Sequence, residues 1–138
     1  MFAEVKWKEG LQLEAVSDSG YMVIMDSAPA GVTAAAASPM EYLLMALGGC
    51  TMMDVVSILA KMRRTITKFI VRIDAKRADV HPRVFTSAIL SYDLVSPDVT
   101  DEEYNRAVNL SQEKYCSVSA MFKASGTKLT CVMNLTRE

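Results

Sequence analysis

The chain has 138 residues, of which 51% are hydrophobic and 22% are charged, so it can bury a core and is not disordered. Fifteen basic and sixteen acidic residues leave a formal net charge of -1 without a block of like charge, whereas binding to nucleic acid or a membrane surface needs a basic patch. We therefore expect no nucleic-acid partner, no membrane partner, and one domain that covers residues 1–138.

The N-terminal half also bears on location. The first ten residues carry a charge every few positions, unlike the apolar core of a signal peptide. The longest unbroken apolar run, residues 42–50, is far shorter than the roughly 20 residues that span a bilayer. We expect a cytoplasmic protein.

The first elements in chain order are three strands, at residues 4–7, 11–16 and 21–25, with turns at 9–10 and 17–20. They predict a small antiparallel meander. Residues 26–37 are rich in alanine and contain glycine and proline, which indicates an exposed connection without regular structure.

A helix follows, with clear signals at its start. Ser38 fits the N-cap, Pro39 the first helical position, and Glu41 the third, where it can close a capping box with Ser38. From there to about Met62 the sequence is apolar nearly all round, so we expect a sheet or a second subunit to enclose the helix. The Gly48-Gly49 pair in its middle indicates either a close approach or a kink.

The second half predicts strands at 69–76 and 85–94, and a helix that begins after Thr100 and runs to about Gln112. A short helical stretch at 117–123 and a last strand at 128–135 complete the chain. The predicted order is βββ-α-ββ-α-β, which is an α+β fold.

The three cysteines, Cys50, Cys116 and Cys131, are too few and too far apart for a disulfide framework or a paired-cysteine zinc site. One histidine excludes a histidine-rich metal site, and we expect neither a metal nor a cofactor. Free cysteines in such a protein are either small hydrophobic core residues or reactive thiols.

The local sequence around each cysteine is informative to a different degree. Cys50 lies in the apolar helix with Asp54 at helical spacing, and this acid would disfavour a thiolate, so an inert thiol is the simpler interpretation. Cys116 precedes a short helix, whose free N–H groups stabilise an anion, and its sequence fits a reactive and a structural thiol equally well. Cys131 alternates within a strand and is interpreted as a core residue.

Two motifs resemble the OsmC/Ohr family. The segment SPMEYLLMALGGC, which ends at Cys50, is similar to that family's P-x-E-x-L-L-x-A-x-x-x-C helix, and KYCSV around Cys116 is similar to its C-x-V motif. The segments VKW at 5–7 and HPRVFT at 81–86 resemble the YhfA-type subgroup especially. The likeness covers essentially the whole chain.

The resemblance implies an intertwined homodimer with central apolar helices enclosed by sheets from both chains. It implies a thiol-dependent peroxidase that reduces organic hydroperoxides in stress defence, with Cys50 as the attacking cysteine and Cys116 as the resolving one. Glu41 would be the third site residue, and an external dithiol would reduce the disulfide. The alternative is a dimer of the same fold that binds a small ligand or thiol and has slow or no peroxide chemistry.

The chain departs from the family at one position. Peroxidases of this family activate the attacking cysteine with an arginine from the N-terminal strands, held by the motif glutamate. Here no arginine occurs before Arg63, and Lys6 and Lys8 are the only upstream cations. The remaining candidates for the role are Arg63, Arg64 and Arg83, which would have to approach from the partner chain. Glu41 lies about 13 Å from Cys50 along a straight helix, which favours a capping role or a contact with a partner chain.

Overall fold

The computed structural model describes all residues, Met1–Glu138, and its elements follow the predicted order. The α+β prediction is confirmed, and the stretch after Cys116 forms a helix of its own. The elements are β1 (Ala3–Glu9), β2 (Gln12–Ser17), β3 (Met22–Met25), α1 (Pro39–Lys61), β4 (Lys68–Arg77), β5 (Phe85–Val95), α2 (Asp101–Leu110), a π-helical turn (Ser111–Tyr115), α3 (Ser117–Ala124) and β6 (Lys128–Thr136).

The chain divides into two compact units, Met1–Met45 and Ala46–Glu138. In the first unit β1, β2 and β3 form an antiparallel sheet in that order, which confirms the predicted meander. Gly10 and Gly20 stand in its two turns with φ of 52° and 85°, backbone conformations that other residues rarely adopt. That the two units form one domain stays a prediction.

The second unit contains the sheet β4-β5-β6. β4 and β5 pair antiparallel, whereas β5 and β6 pair parallel, and α2, the π-helical turn and α3 make the crossover that a parallel pair requires. β5 is the central strand and turns Leu90, Tyr92 and Leu94 into the core on alternate positions. This unit therefore has its own hydrophobic core.

The start of α1 matches the sequence expectation. The backbone amide and hydroxyl of Ser38 donate to Oε2 of Glu41 at 2.7 and 2.6 Å, and the amide of Glu41 approaches Ser38 Oγ at 3.4 Å. These hydrogen bonds, the hydroxyl's first, hold the pKa of Glu41 below its ordinary value. Glu41 is thus the helix-capping residue that its position predicts.

Within the second unit, one narrow face of α1 packs against the β4-β5-β6 sheet. The residues of this face recur at every fourth position. Leu47, Thr51, Val55 and Leu59 are fully buried. A Cβ on Gly48 would lie 3.1 Å from the side chain of Ile73, so this glycine allows the close approach of the sheet.

The other faces of α1 remain open within this chain. Met45 and Met53 are 55% and 76% exposed, and only 28% of the helix's most apolar window is buried. By length and composition the helix could also cross a membrane, a test that core helices of soluble proteins pass as well. The short unbroken apolar run at residues 42–50 understated how apolar the whole helix is. Glu41, Asp54 and Lys61 are the only charged residues among its 23.

Candidate active site

Two of the three predicted site residues meet in the second unit. The sulfur atoms of Cys50 and Cys116 and a carboxylate oxygen of Asp54 all lie within 4.8 Å of one another, and both cysteines are free thiols. Cys50 and Asp54 come from adjacent turns of α1, and Cys116 comes from the N-cap of α3. The two sulfurs therefore lie close to one another and beside an acid.

The environment of Cys116 favours the neutral thiol. Cys116 is 3% exposed, and its Sγ accepts a hydrogen bond from the backbone amide of Ser119 at 3.3 Å. Burial raises the pKa of the Cys116 thiol and outweighs the opposite effect of Ser119, while the neighbouring Cys50 raises this pKa further. The helix terminus that could have stabilised a thiolate is therefore overridden by desolvation.

Asp54 is held by a chain of buried hydroxyl groups. Ser111 donates its hydroxyl to Oδ2 of Asp54 at 2.9 Å, so the hydroxyl of Thr51, 2.9 Å from Ser111, must donate to Ser111. The hydroxyl of Tyr92, 3.0 Å from Thr51, then donates to Thr51, and the side-chain amide of Gln112 donates to both Thr51 and Tyr92. Each hydroxyl in this series therefore donates its proton in the direction of Asp54.

The hydroxyl chain is buried and its direction is fixed. Thr51, Tyr92 and Ser111 have no exposed surface, and burial raises the pKa of Tyr92, which keeps its hydroxyl protonated as a donor. The π-helical turn Ser111–Tyr115 widens the end of α2, and the amide of Cys116 closes it by donating to the carbonyl of Ser111 at 2.8 Å. The π-helical turn thus positions both Ser111, the hydrogen-bond donor to Asp54, and Cys116.

A groove of about 330 Å³ extends from Asp54 along the outer side of α1 and α2. Lys61 and Arg106 line it together with Tyr115, and none of these was identified in the sequence. Helical spacing could have indicated them, since Asp54 and Lys61 lie two turns apart on α1. Nothing in the sequence, however, shows that α1 faces α2 at this point.

The remaining candidates have other contacts. The guanidinium of Arg64 is bound by Glu103, and that of Arg83 approaches the carbonyl of Asp79. Glu41 caps α1 in the first unit. Cys131 is half-buried in β6, where burial raises the pKa of its thiol.

The OsmC-like protein family model matches residues 32–132, most of the chain. The chain belongs to this family. It is 43% identical over 123 residues to Protein YhfA of Escherichia coli strain K12, in an alignment that covers 89% of this chain and 90% of YhfA. The resemblance inferred from the two cysteine motifs is thereby confirmed.

Solved structures show that the OsmC-like fold covers nearly the whole chain. An OsmC-like protein from Mycoplasma pneumoniae is similar with a TM-score of 0.84 at 16% identity, over 98% of this chain and 96% of that one. An organic hydroperoxide resistance protein from Elizabethkingia anophelis is similar with a TM-score of 0.67 at 14% identity, over 97% and 94%. At these identities the likeness establishes the fold.

Replacing Thr51 with valine should destabilise this OsmC-like protein by about 1–3 kcal/mol, because the buried Tyr92 hydroxyl would lose its acceptor and Ser111 a buried donor. Chemical denaturation at matched protein concentration measures the change. Thr86→Val is the control, since its exposed hydroxyl makes one long bond to a backbone carbonyl. Equal losses in the two variants would contradict a structural role for the hydroxyl chain.

Proposed function

We propose that this OsmC-like protein is a thiol-dependent peroxidase that reduces organic hydroperoxides through Cys50 and Cys116. The observation that carries the proposal is the approach of the two sulfurs within 4.8 Å in one compact unit. Membership of the family and the fold shared with an organic hydroperoxide resistance protein support it.

The difference in exposure between the two cysteines supports the proposed roles, with Cys50 attacking and Cys116 resolving. Cys50 is half-buried and can be reached, whereas Cys116 is enclosed and its raised pKa makes it a poor initial nucleophile. The thiolate of Cys50 attacks the terminal peroxide oxygen and the O–O bond breaks. The alkoxide takes up the proton that the Cys50 thiol released and leaves as the alcohol. Cys50 is then a sulfenic acid.

The second step joins the two cysteines. The thiol of Cys116 loses its proton and attacks the sulfenic sulfur, the S–S bond forms, and the sulfenic oxygen leaves as water. Closing the bond to about 2 Å needs only a small movement from the present separation. A dithiol reductant then exchanges with this disulfide and restores both thiols.

We assign the role of the missing N-terminal arginine to the cations nearest to Asp54 in the groove. Lys61 and Arg106 line the groove together with Asp54, so they can offset the charge of the acid. Glu41 is retained as a proposed site residue with a positioning role, because its contacts with Ser38 fix the beginning of the helix that carries Cys50.

The reaction scheme predicts different outcomes for the three cysteines. Cys50→Ser should abolish hydroperoxide consumption, because no nucleophile remains. Cys116→Ser should permit a single turnover and leave Cys50 open to oxidation to the sulfinic acid. Steady-state consumption of an organic hydroperoxide with a dithiol reductant, and the mass of the treated protein, measure both effects.

Cys131→Ala is the matched control for these variants. It removes the third thiol from β6 and should leave turnover nearly unchanged. A tenfold loss with the fold intact would make Cys131 a participant and overturn the two-cysteine scheme.

A second candidate function is the binding of a small apolar or thiol ligand without fast peroxide chemistry. Two observations favour it: Asp54 stands beside the sulfurs, where its charge opposes a thiolate, and no arginine precedes Arg63. Absence of hydroperoxide consumption by the reduced wild-type protein would select this candidate.

We also propose that the protein is a cytoplasmic homodimer. The exposed apolar positions of α1 need a cover, and a second copy that brings the same helix can provide it. Such an obligate interface should bury more than about 2,000 Å².

A charge at the most exposed methionine of α1 tests the dimer. Met53→Glu should dissociate it, because a buried carboxylate without a partner is costly. Val80→Glu, at a loop position with nearly the same exposure, should leave it intact. Sedimentation measures both, and a folded wild-type monomer at micromolar concentration would contradict the proposal.

A further inference from the structure

We propose that the reduced protein binds one Zn²⁺ ion through Cys50, Asp54 and Cys116. Two thiol sulfurs and a carboxylate oxygen that lie within 4.8 Å of one another are the ligand types that this borderline-soft cation prefers. The three ligands leave a fourth tetrahedral position for water or another small ligand. The inference concerns the same residues as the proposed peroxidase but does not depend on that activity.

The spacing of the donors fits such an ion after a small contraction. Zn–S and Zn–O bonds of about 2.3 and 2.0 Å place tetrahedral ligand atoms roughly 3.5–3.8 Å apart. Cys50 and Asp54 are four residues apart on α1, the spacing by which two side chains of one helix reach a shared ion. Binding therefore requires the donor atoms to draw closer than the 4.8 Å within which they now lie.

Neighbouring groups already orient two of the three ligands. The Ser111 hydroxyl occupies Oδ2 of Asp54 and leaves the other carboxylate oxygen free, while the Ser119 amide donates to the sulfur of Cys116. Hydrogen bonds of this kind hold metal ligands in position in known sites.

The charges of the cluster point to a cation as well. Two thiolates and a carboxylate within 4.8 Å of one another would bring three negative charges together, which repel one another unless a cation lies between them. A divalent ion reverses this balance, since it is bound by the thiolates and releases both thiol protons to solvent. The acid that opposes a free thiolate becomes a ligand.

Metal binding and disulfide formation exclude each other, because both use the same sulfur electron pairs. Oxidation of the loaded site by a hydroperoxide would give a disulfide, an alcohol, water and free Zn²⁺, with two protons consumed. This coupling rests on the proposed function, whereas metal binding by the reduced protein does not. The sequence expectation of no metal rested on the lack of paired cysteines and histidines, and a mixed site assembled from distant segments has neither.

Titration of the reduced full chain with Co²⁺ tests the site. Stoichiometric binding should produce thiolate-to-cobalt charge-transfer absorption, which Zn²⁺ then abolishes by displacing Co²⁺. Cys50→Ser and Cys116→Ser should each weaken both this absorption and the affinity. Asp54→Asn should lower the affinity by at least about tenfold, the scale of losses at metal sites.

Cys131→Ser is the control and should bind Co²⁺ as the wild type does, with circular dichroism verifying the fold of every variant. Lack of one-to-one binding by the wild type, or binding that survives loss of Cys50 and Cys116 together, would overturn the metal site. If either result accompanies normal hydroperoxide consumption, the metal site fails and the proposed function stands; metal binding without consumption gives the reverse.

Discussion

The hydrogen-bonded chain from Tyr92 through Thr51 and Ser111 to Asp54 connects the sheet, α1 and the π-helical turn at the centre of the second unit. A buried hydroxyl without a partner costs about 1–3 kcal/mol, so each of these groups fixes the position of the next. The carboxylate at the end of this series of hydroxyl groups lies beside Cys116, the N-cap residue of α3, and one turn from Cys50 on α1. The arrangement of the two thiols depends on this polar layer.

The same layer explains why the two thiols differ. Cys116 follows directly after the π-helical turn that supplies Ser111, and its own burial raises the pKa of its thiol. Cys50 stands on the more open side of α1, next to the helix faces that this chain leaves uncovered. An accessible cysteine and an enclosed one suit attack and resolution respectively, and both suit a metal ion when they are reduced.

Local signals predicted most of the fold. The Ser38–Glu41 cap, the strand alternation of β5 and the turn glycines act within a few residues, so the sequence alone located α1, the strands and their order. Non-local contacts were not readable. Asp54 was noticed only as a charge near Cys50, because its partner Ser111 lies 57 positions away and reaches it through a π-helical distortion that has no sequence signature. The groove lined by Arg106 was missed for the same reason.

Peptide mapping after oxidation tests whether Cys50 and Cys116 form the redox pair. The reduced protein is treated with one equivalent of an organic hydroperoxide, digested without reductant and analysed by mass spectrometry. Because the sulfurs of Cys50 and Cys116 already lie within 4.8 Å, we predict one disulfide bridge, between these two residues. A bridge to Cys131 as the main product, or oxidised Cys50 without any bridge, would contradict it.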